Sequence, residues 1–133
     1  MKYILALFLL ALVSCAQNFV STGTGLSGVS YQWNLAGMKE GCLFMAACVI
    51  GGLGTDAEML SARAWAVNKG YIRNSDTYCN VGSQALAQYI SANYGTPYHN
   101  GWSAKQGCGH FWVVDGNGKE VFNAAGLGYT GCK

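Results

Sequence analysis

The stretch His110-Phe111-Trp112-Val113-Val114-Asp115-Gly116-Asn117-Gly118-Lys119-Glu120-Val121-Phe122-Asn123-Ala124 sets two β-rich runs on either side of an Asn-Gly pair. Asn-Gly between such runs is a strong hairpin signal, because both residues tolerate the positive φ that a two-residue turn demands. With Asn117 and Gly118 as the turn residues, Trp112 faces Asn123 and His110 faces Ala125. His110, Trp112 and Val114 then share a face with Asn123 and Val121, and Asn123 lies diagonally across from His110, within reach of a polar side chain. Asp115, roughly 16 Å along the same strand, points to the opposite face and is a poor partner for His110.

Upstream, Gly41-Cys42-Leu43-Phe44-Met45-Ala46-Ala47-Cys48-Val49-Ile50 is apolar on all sides and stopped by Gly51-Gly52. An element apolar all round is buried, and its Leu, Met and Ala content favours helix over strand. Thr55-Asp56-Ala57-Glu58 reads as a capping box, with Thr55 as N-cap and Glu58 reaching back, opening a helix that ends at Asn68-Lys69-Gly70. A third helix is expected from about Ser83 to Asn93, with Leu86, Tyr89 and Ile90 on one face and Gly95 and Pro97 closing it. Tyr71 to Val81 is a polar loop carrying Cys79. Residues 17 to 40 are rich in Gly, Ser and Thr, and Phe19, Val20, Val29, Tyr31 and Trp33 are their only strand-like material. The whole predicts an α+β domain, a buried helix packed on a small antiparallel sheet.

Gly23-Thr24-Gly25-Leu26-Ser27-Gly28 is formally a G-x-G-x-x-G. A dinucleotide site needs a buried strand before it, a helix after it and an acidic residue about twenty positions on. Those supports are missing, so a flexible glycine loop is the expectation.

The 133 residues carry 11% charged side chains and a net charge of +2. One small folded domain fits that length, and so weak a charge offers no footprint for nucleic acid phosphates. Lys2, the apolar run Tyr3 to Val13 and the small residues Ser14-Cys15-Ala16 form a secretory signal peptide over residues 1–16, leaving 17–133 as the domain. Eleven apolar residues rise only about 16 Å as a helix, short of a bilayer core, so no stable membrane anchor is expected. Leu12-Val13-Ser14-Cys15 also fits a bacterial lipobox, which would make Cys15 a lipidated N-terminus. Secretion into an extracellular, oxidising compartment leaves Cys42, Cys48, Cys79, Cys108 and Cys132, an odd number. Two disulfides and one remaining thiol is the simplest arithmetic. Cys108-x-His110 is the only close metal-ligand pair, so no metal site is expected.

Cys42 stands at the start of a helix, where backbone donors favour a thiolate. Gly41 permits close approach of a substrate, whereas Cys48 lies rotated about 240° away. His110 is the candidate base, and Asn123 would fix its ring, giving a Cys-His-Asn set in chain order. The Cys42 amide and the Gln32 side chain are the oxyanion candidates. His99, in a turn context, is the rival base; Tyr98 and Trp102 could line a groove.

Gly41-Cys42 opening an apolar helix, two further helices and then Gly109-His110-Phe111-Trp112-Val113-Val114 resemble the minimal papain-like core of NlpC/P60 and CHAP-type peptidoglycan amidases and endopeptidases. Within that group, its small size, signal and extra cysteines resemble the type VI secretion amidase effectors, especially the amidases that ticks and mites acquired from bacteria and secrete. The resemblance covers about residues 30 to 125. It implies an antibacterial, monomeric enzyme without cofactor that hydrolyses peptide bonds in bacterial cell-wall stem peptides or their cross-links, with Cys42 as nucleophile and His110 as base. The bacterial members need no disulfides, so four further cysteines would be an adaptation to secretion. Four cysteines allow three pairings, of which Cys108 with Cys132 and Cys48 with Cys79 are expected. A non-catalytic, disulfide-stapled binding module and a general secreted cysteine peptidase are the alternatives.

Overall fold

A computed structural model describes residues 23–31, Leu35 and residues 38–132. The expected leader, Phe19, Val20, Gln32 and Trp33 lie outside the described residues. Among the described residues the chain is a small α+β unit, with three helices followed by a three-stranded antiparallel sheet.

Helix α1 spans Gly41–Ile50 and buries every residue but Leu43, as its unbroken apolar sequence requires. Its N-cap, Glu40, holds φ 59, a left-handed conformation rare for a residue with a side chain, and does not cap the helix through its carboxylate. That carboxylate instead accepts the Cys79 backbone N–H at 3.2 Å, tying the loop after α2 to the start of α1. Helix α2 spans Asp56–Lys69, with Thr55 Oγ1 accepting from the Glu58 N–H at 3.2 Å and left-handed Gly70 at its end. Glu58 reaches back as expected but bonds the Gly54 N–H at 2.8 Å, one residue earlier than the standard box.

Helix α3 spans Ser83–Tyr94 and buries Leu86, Ala87 and Ile90. Tyr89, expected on that face, is 42% exposed and stacks on Tyr71 with ring centroids 4.7 Å apart. Helix α1 packs against both α3 and the sheet, so the least polar element occupies the centre.

Strand β1 covers Ser103–Gln106, β2 Phe111–Val114 and β3 Glu120–Phe122, in that spatial order. β1 has no counterpart in the sequence reading. It is a mostly exposed edge strand, Ser-Ala-Lys-Gln, with none of the β-branched alternation that marks strands. Val29 is buried and Tyr31 half-buried, and neither belongs to a strand.

The hairpin register is the expected one at Val113, which pairs with Phe122. Next to the turn it slips by one, Val114 pairing with Glu120, so that Val121 is the extra residue of a bulge. The slip starts in the turn. Gly118 N–H donates to the Asp115 carbonyl at 3.0 Å, and Gly118 holds φ 82, so Gly116 and Asn117 are its central residues rather than Asn117 and Gly118. Asp115 stabilises this longer turn, its Oδ1 accepting from Asn117 N at 2.9 Å and Lys119 N at 3.0 Å. The bulge at Val121 then restores the expected pairing.

The path into the sheet sets one end of β2 near the C-terminal end of α1. His99 N–H donates to the Ile50 carbonyl at 2.8 Å, a tight turn closes from His99 to Trp102, and Ser103 pairs with Val114. The Val114 end of β2 therefore lies toward the C-terminal end of α1. His110, which immediately precedes β2, lies at the other end of that strand.

Candidate active site

His110 is 1% exposed and Asn123 fully buried. His110 Nε2 and Asn123 Oδ1 are 2.7 Å apart, the contact expected across the hairpin. Three further bonds fix which way the Asn123 amide points. Its Nδ2 donates to Glu120 Oε2 at 2.7 Å and to the Tyr129 carbonyl at 2.8 Å, while its Oδ1 accepts the Ala125 N–H at 3.1 Å. A flipped amide would set an oxygen against two acceptors and a nitrogen against a donor, so the orientation is determined by the network.

That orientation dictates the imidazole tautomer. Facing an oxygen, Nε2 carries the proton, which leaves the neutral ring's lone pair on Nδ1. Nδ1 is buried and has no hydrogen-bond partner among the described residues. A buried ring nitrogen without a partner is uncommon and costs stability unless it serves a reaction or a ligand.

The surroundings hold the ring on several sides. Tyr129 meets it edge-on at 5.0 Å between centroids, and Trp112 lies in an offset stack at 6.0 Å. The Cys108–Cys132 disulfide, as expected from sequence, closes the segment that contains both His110 and Asn123. Two glycines let the last turn of chain lie against the approach to β2. A Cβ on Gly131 would come within 2.3 Å of the Cys108 carbonyl oxygen, and one on Gly107 within 2.4 Å of the Thr130 carbonyl oxygen.

Gly23–Gly28 is neither a nucleotide cradle nor a loose loop. The Thr24 carbonyl accepts the Asn123 backbone N–H at 2.9 Å, and a Cβ on Gly25 would lie 2.3 Å from the Val121 carbonyl oxygen. Gly25 is a glycine because the segment backs directly onto β3 there, and Gly28 because a Cβ would lie 2.5 Å from the Gly54 carbonyl oxygen. Sequence reasoning missed this, since only the pairing partner explains the composition.

Cys42 is 2% exposed in the first turn of α1, at the positive end of the helix dipole. The expected Cys48–Cys79 disulfide is not formed; both residues are thiols. Cys48 is completely enclosed, and burial, then the charge of nearby Cys79, pushes its pKa well above the ordinary thiol value. The Cys79 thiol is pushed up to about 12, first by burial and then by the Glu40 carboxylate, and its Sγ is directed at the Thr77 carbonyl 3.6 Å away. Neither supplies a thiolate at neutral pH. Of the three thiols, Cys42 is the one that stands in the first turn of a helix.

Other sequence candidates fall elsewhere. His99 stacks on Trp102 with centroids 3.8 Å apart, at the C-terminal end of α1 and away from Cys42. Tyr98 and Trp102 belong to that same end, held by Gln84, whose Nε2 donates to the Tyr98 hydroxyl and the Trp102 carbonyl. They do not line the His110 site. Gln32, the second oxyanion candidate, lies outside the described residues. Glu120 was not anticipated, because strict alternation puts it on the opposite face from Asn123. The bulge at Val121 brings the two together.

Among the described residues no helix is long and apolar enough to cross a membrane, and no three His, Cys, Asp or Glu side chains converge as metal ligands. No family model matches the chain, and no curated protein or solved structure shows significant similarity to it.

Proposed function

We propose that this chain is a secreted cysteine amidase with a papain-like core, hydrolysing peptide bonds in the stem peptides or cross-links of bacterial peptidoglycan. The observation that carries the reading is His110: an Asn-anchored imidazole whose other nitrogen is buried, unpartnered and left with the lone pair. A general base needs that arrangement, and a purely structural histidine does not. Cys42 supplies the nucleophile from the start of α1. The exposed disulfide fits an oxidising compartment. The substrate class rests on the resemblance of the Gly41-Cys42 and Gly109–Val114 contexts to cell-wall amidases.

In the reaction, His110 Nδ1 takes the proton of the Cys42 thiol, and the resulting thiolate attacks the amide carbonyl carbon and forms a C–S bond. The C–N bond breaks as the His110 imidazolium gives its Nδ1 proton to the leaving amine, producing a thioester. Water then adds to the thioester carbonyl, its proton passing to His110 Nδ1, and the C–S bond breaks to release the carboxylic acid and regenerate the thiolate–imidazolium pair. Asn123 keeps Nε2 protonated throughout, so Nδ1 is always the atom that exchanges protons.

Digestion of purified sacculi, with released muropeptides read by mass spectrometry, tests this directly. Wild type should release fragments cut at one defined amide, and Cys42→Ala should release none. Equal digestion by Cys42→Ala sinks the nucleophile assignment, and comparable cleavage of casein shifts the reading to a general peptidase.

A further inference from the structure

Among the described residues the Glu120 carboxylate accepts hydrogen bonds from two groups, and both belong to the surroundings of His110. Oε2 accepts from Asn123 Nδ2 at 2.7 Å, and Oε1 and Oε2 accept the Gly128 N–H at 3.1 and 3.2 Å. The Gly128 bond orders the turn that delivers the Tyr129 carbonyl to the same Asn123 nitrogen and the Tyr129 ring to the edge of His110. No described cation pairs with Glu120; the one ion pair among the described residues is Arg73 with Asp76. A half-buried carboxylate whose charge is spent on a neutral amide makes that hydrogen bond about twice as strong as an amide–amide one. Bonds in such a chain polarise one another.

We propose that Glu120 is a positioning residue of the active site, acting through Asn123 to hold the Nε2–H tautomer and the orientation of His110. The inference rests on the amidase reading for its kinetic consequence but not for its structural one. Pulling electron density toward Asn123 Oδ1, the carboxylate strengthens the bond to Nε2–H and disfavours the tautomer with the proton on Nδ1, which could not accept a proton from water. The bulge at Val121 is what the fold spends on this contact, since a regular strand would turn Glu120 away.

Glu120→Gln keeps an oxygen for Asn123 but loses the charge and presents an amide N–H to the Gly128 N–H; Glu120→Ala removes the group. Long-range proton–nitrogen correlation spectra of the His110 ring, recorded on the intact protein without substrate, should show a single Nε2–H tautomer in wild type. Both variants should show a mixed signal, more so in the alanine variant. On sacculi, kcat should fall roughly five- to tenfold in Glu120→Ala and less in Glu120→Gln, with KM within about twofold. Thr55→Ala, destabilising α2 far from the site, gives the kinetic effect of lost stability alone. An unchanged His110 tautomer in both variants overturns the proposal, as does a kcat loss no larger than that of Thr55→Ala. If wild type proves inactive on every wall substrate, the amidase reading fails and the ring spectra alone still decide the role of Glu120.

Discussion

His110 Nε2 and Asn123 Oδ1 stand 2.7 Å apart with both side chains buried, and the opposite end of the same amide donates to Glu120 and to the Tyr129 carbonyl. The contact is polar in one sense only. Asn123→Asp keeps the oxygen toward His110 and replaces the donor with a second oxygen facing a carboxylate and a carbonyl. Two carboxylates in contact cannot both ionise cheaply, so one of them retains its proton with a folded-state pKa raised above its unfolded value. A raised acid pKa leaves stability intact below the unfolded pKa, about 4, and removes it as pH rises toward the folded one. Asn123→Asp should therefore melt near its best temperature around pH 4 and lose roughly 2 kcal/mol more by pH 7, whereas Asn123→Ala should show a loss that hardly varies with pH. Thermal melts of both variants between pH 4 and 8 check this; parallel curves would contradict the assigned amide orientation.

The three thiols should behave unequally. With Cys48 raised by burial and Cys79 held at about 12, iodoacetamide at pH 8 should modify Cys42 first, and peptide mapping should find the other two largely unmodified. The same shifts make the fold sensitive to alkali. Both folded-state values are raised above the ordinary 9.0, so stability is flat below about pH 9 and declines from there toward pH 12, as the unfolded chain releases protons that the folded chain retains. Cys79→Ser should flatten part of that decline. Rapid labelling of Cys48 would show that its burial is not maintained in solution, and rapid labelling of Cys79 or stability constant to pH 11 would contradict the raised thiol pKa values.

What could be read from sequence was what neighbours in the chain decide. Thr55 and Glu58, Gly70, Gly95 and the apolar run of α1 each signal through residues a few positions away, and their helices start and stop within a residue or so of expectation. The His110–Asn123 contact was legible because an alternating hairpin converts a turn position into cross-strand pairs. The failures share a cause: the deciding partner is distant or the backbone is irregular. β1 is a strand only because β2 is beside it, Gly25 is a glycine only because Val121 is behind it, and the shifted turn and bulge cancel in register while turning Glu120 toward Asn123. Cysteine arithmetic pairs Cys48 with Cys79, yet Cys48 faces the core and Cys79 a carbonyl.

Gly131→Ala should be far more costly than Gly128→Ala. Both glycines hold positive φ, 80° and 95°, so each alanine incurs left-handed strain of about 1 kcal/mol or more. Only at Gly131 does the new methyl group meet anything. It would lie 2.3 Å from the Cys108 carbonyl oxygen and 3.2 Å from His110 Cβ, and the first is backbone that cannot rotate away. Denaturant unfolding should give about 2–4 kcal/mol of loss for Gly131→Ala against about 1 for Gly128→Ala. Similar losses for the two would mean that the terminal segment can move off Cys108 freely.

The Cys108–Cys132 bridge joins residues 24 apart, and chain entropy alone makes such a closure worth about 3.5 kcal/mol. Its placement gives reduction a second effect. The closed segment contains His110, Asn123 and Tyr129, and the Cys108 N–H bond to the Thr130 carbonyl at 3.0 Å lies beside the bridge. Both half-cystines are exposed, so a reductant reaches the bridge without unfolding the domain. The double variant Cys108→Ser/Cys132→Ser should lower the melting temperature by roughly 10–20 °C. At temperatures where it remains fully folded, its kcat on sacculi should still fall, because Tyr129 and its carbonyl are then held against His110 and Asn123 by hydrogen bonds and packing alone. Wild-type kcat in a folded double variant would reduce the bridge to a staple of the C-terminus. A kcat loss that reoxidation of the reduced wild type restores would show that the bridge orders the base.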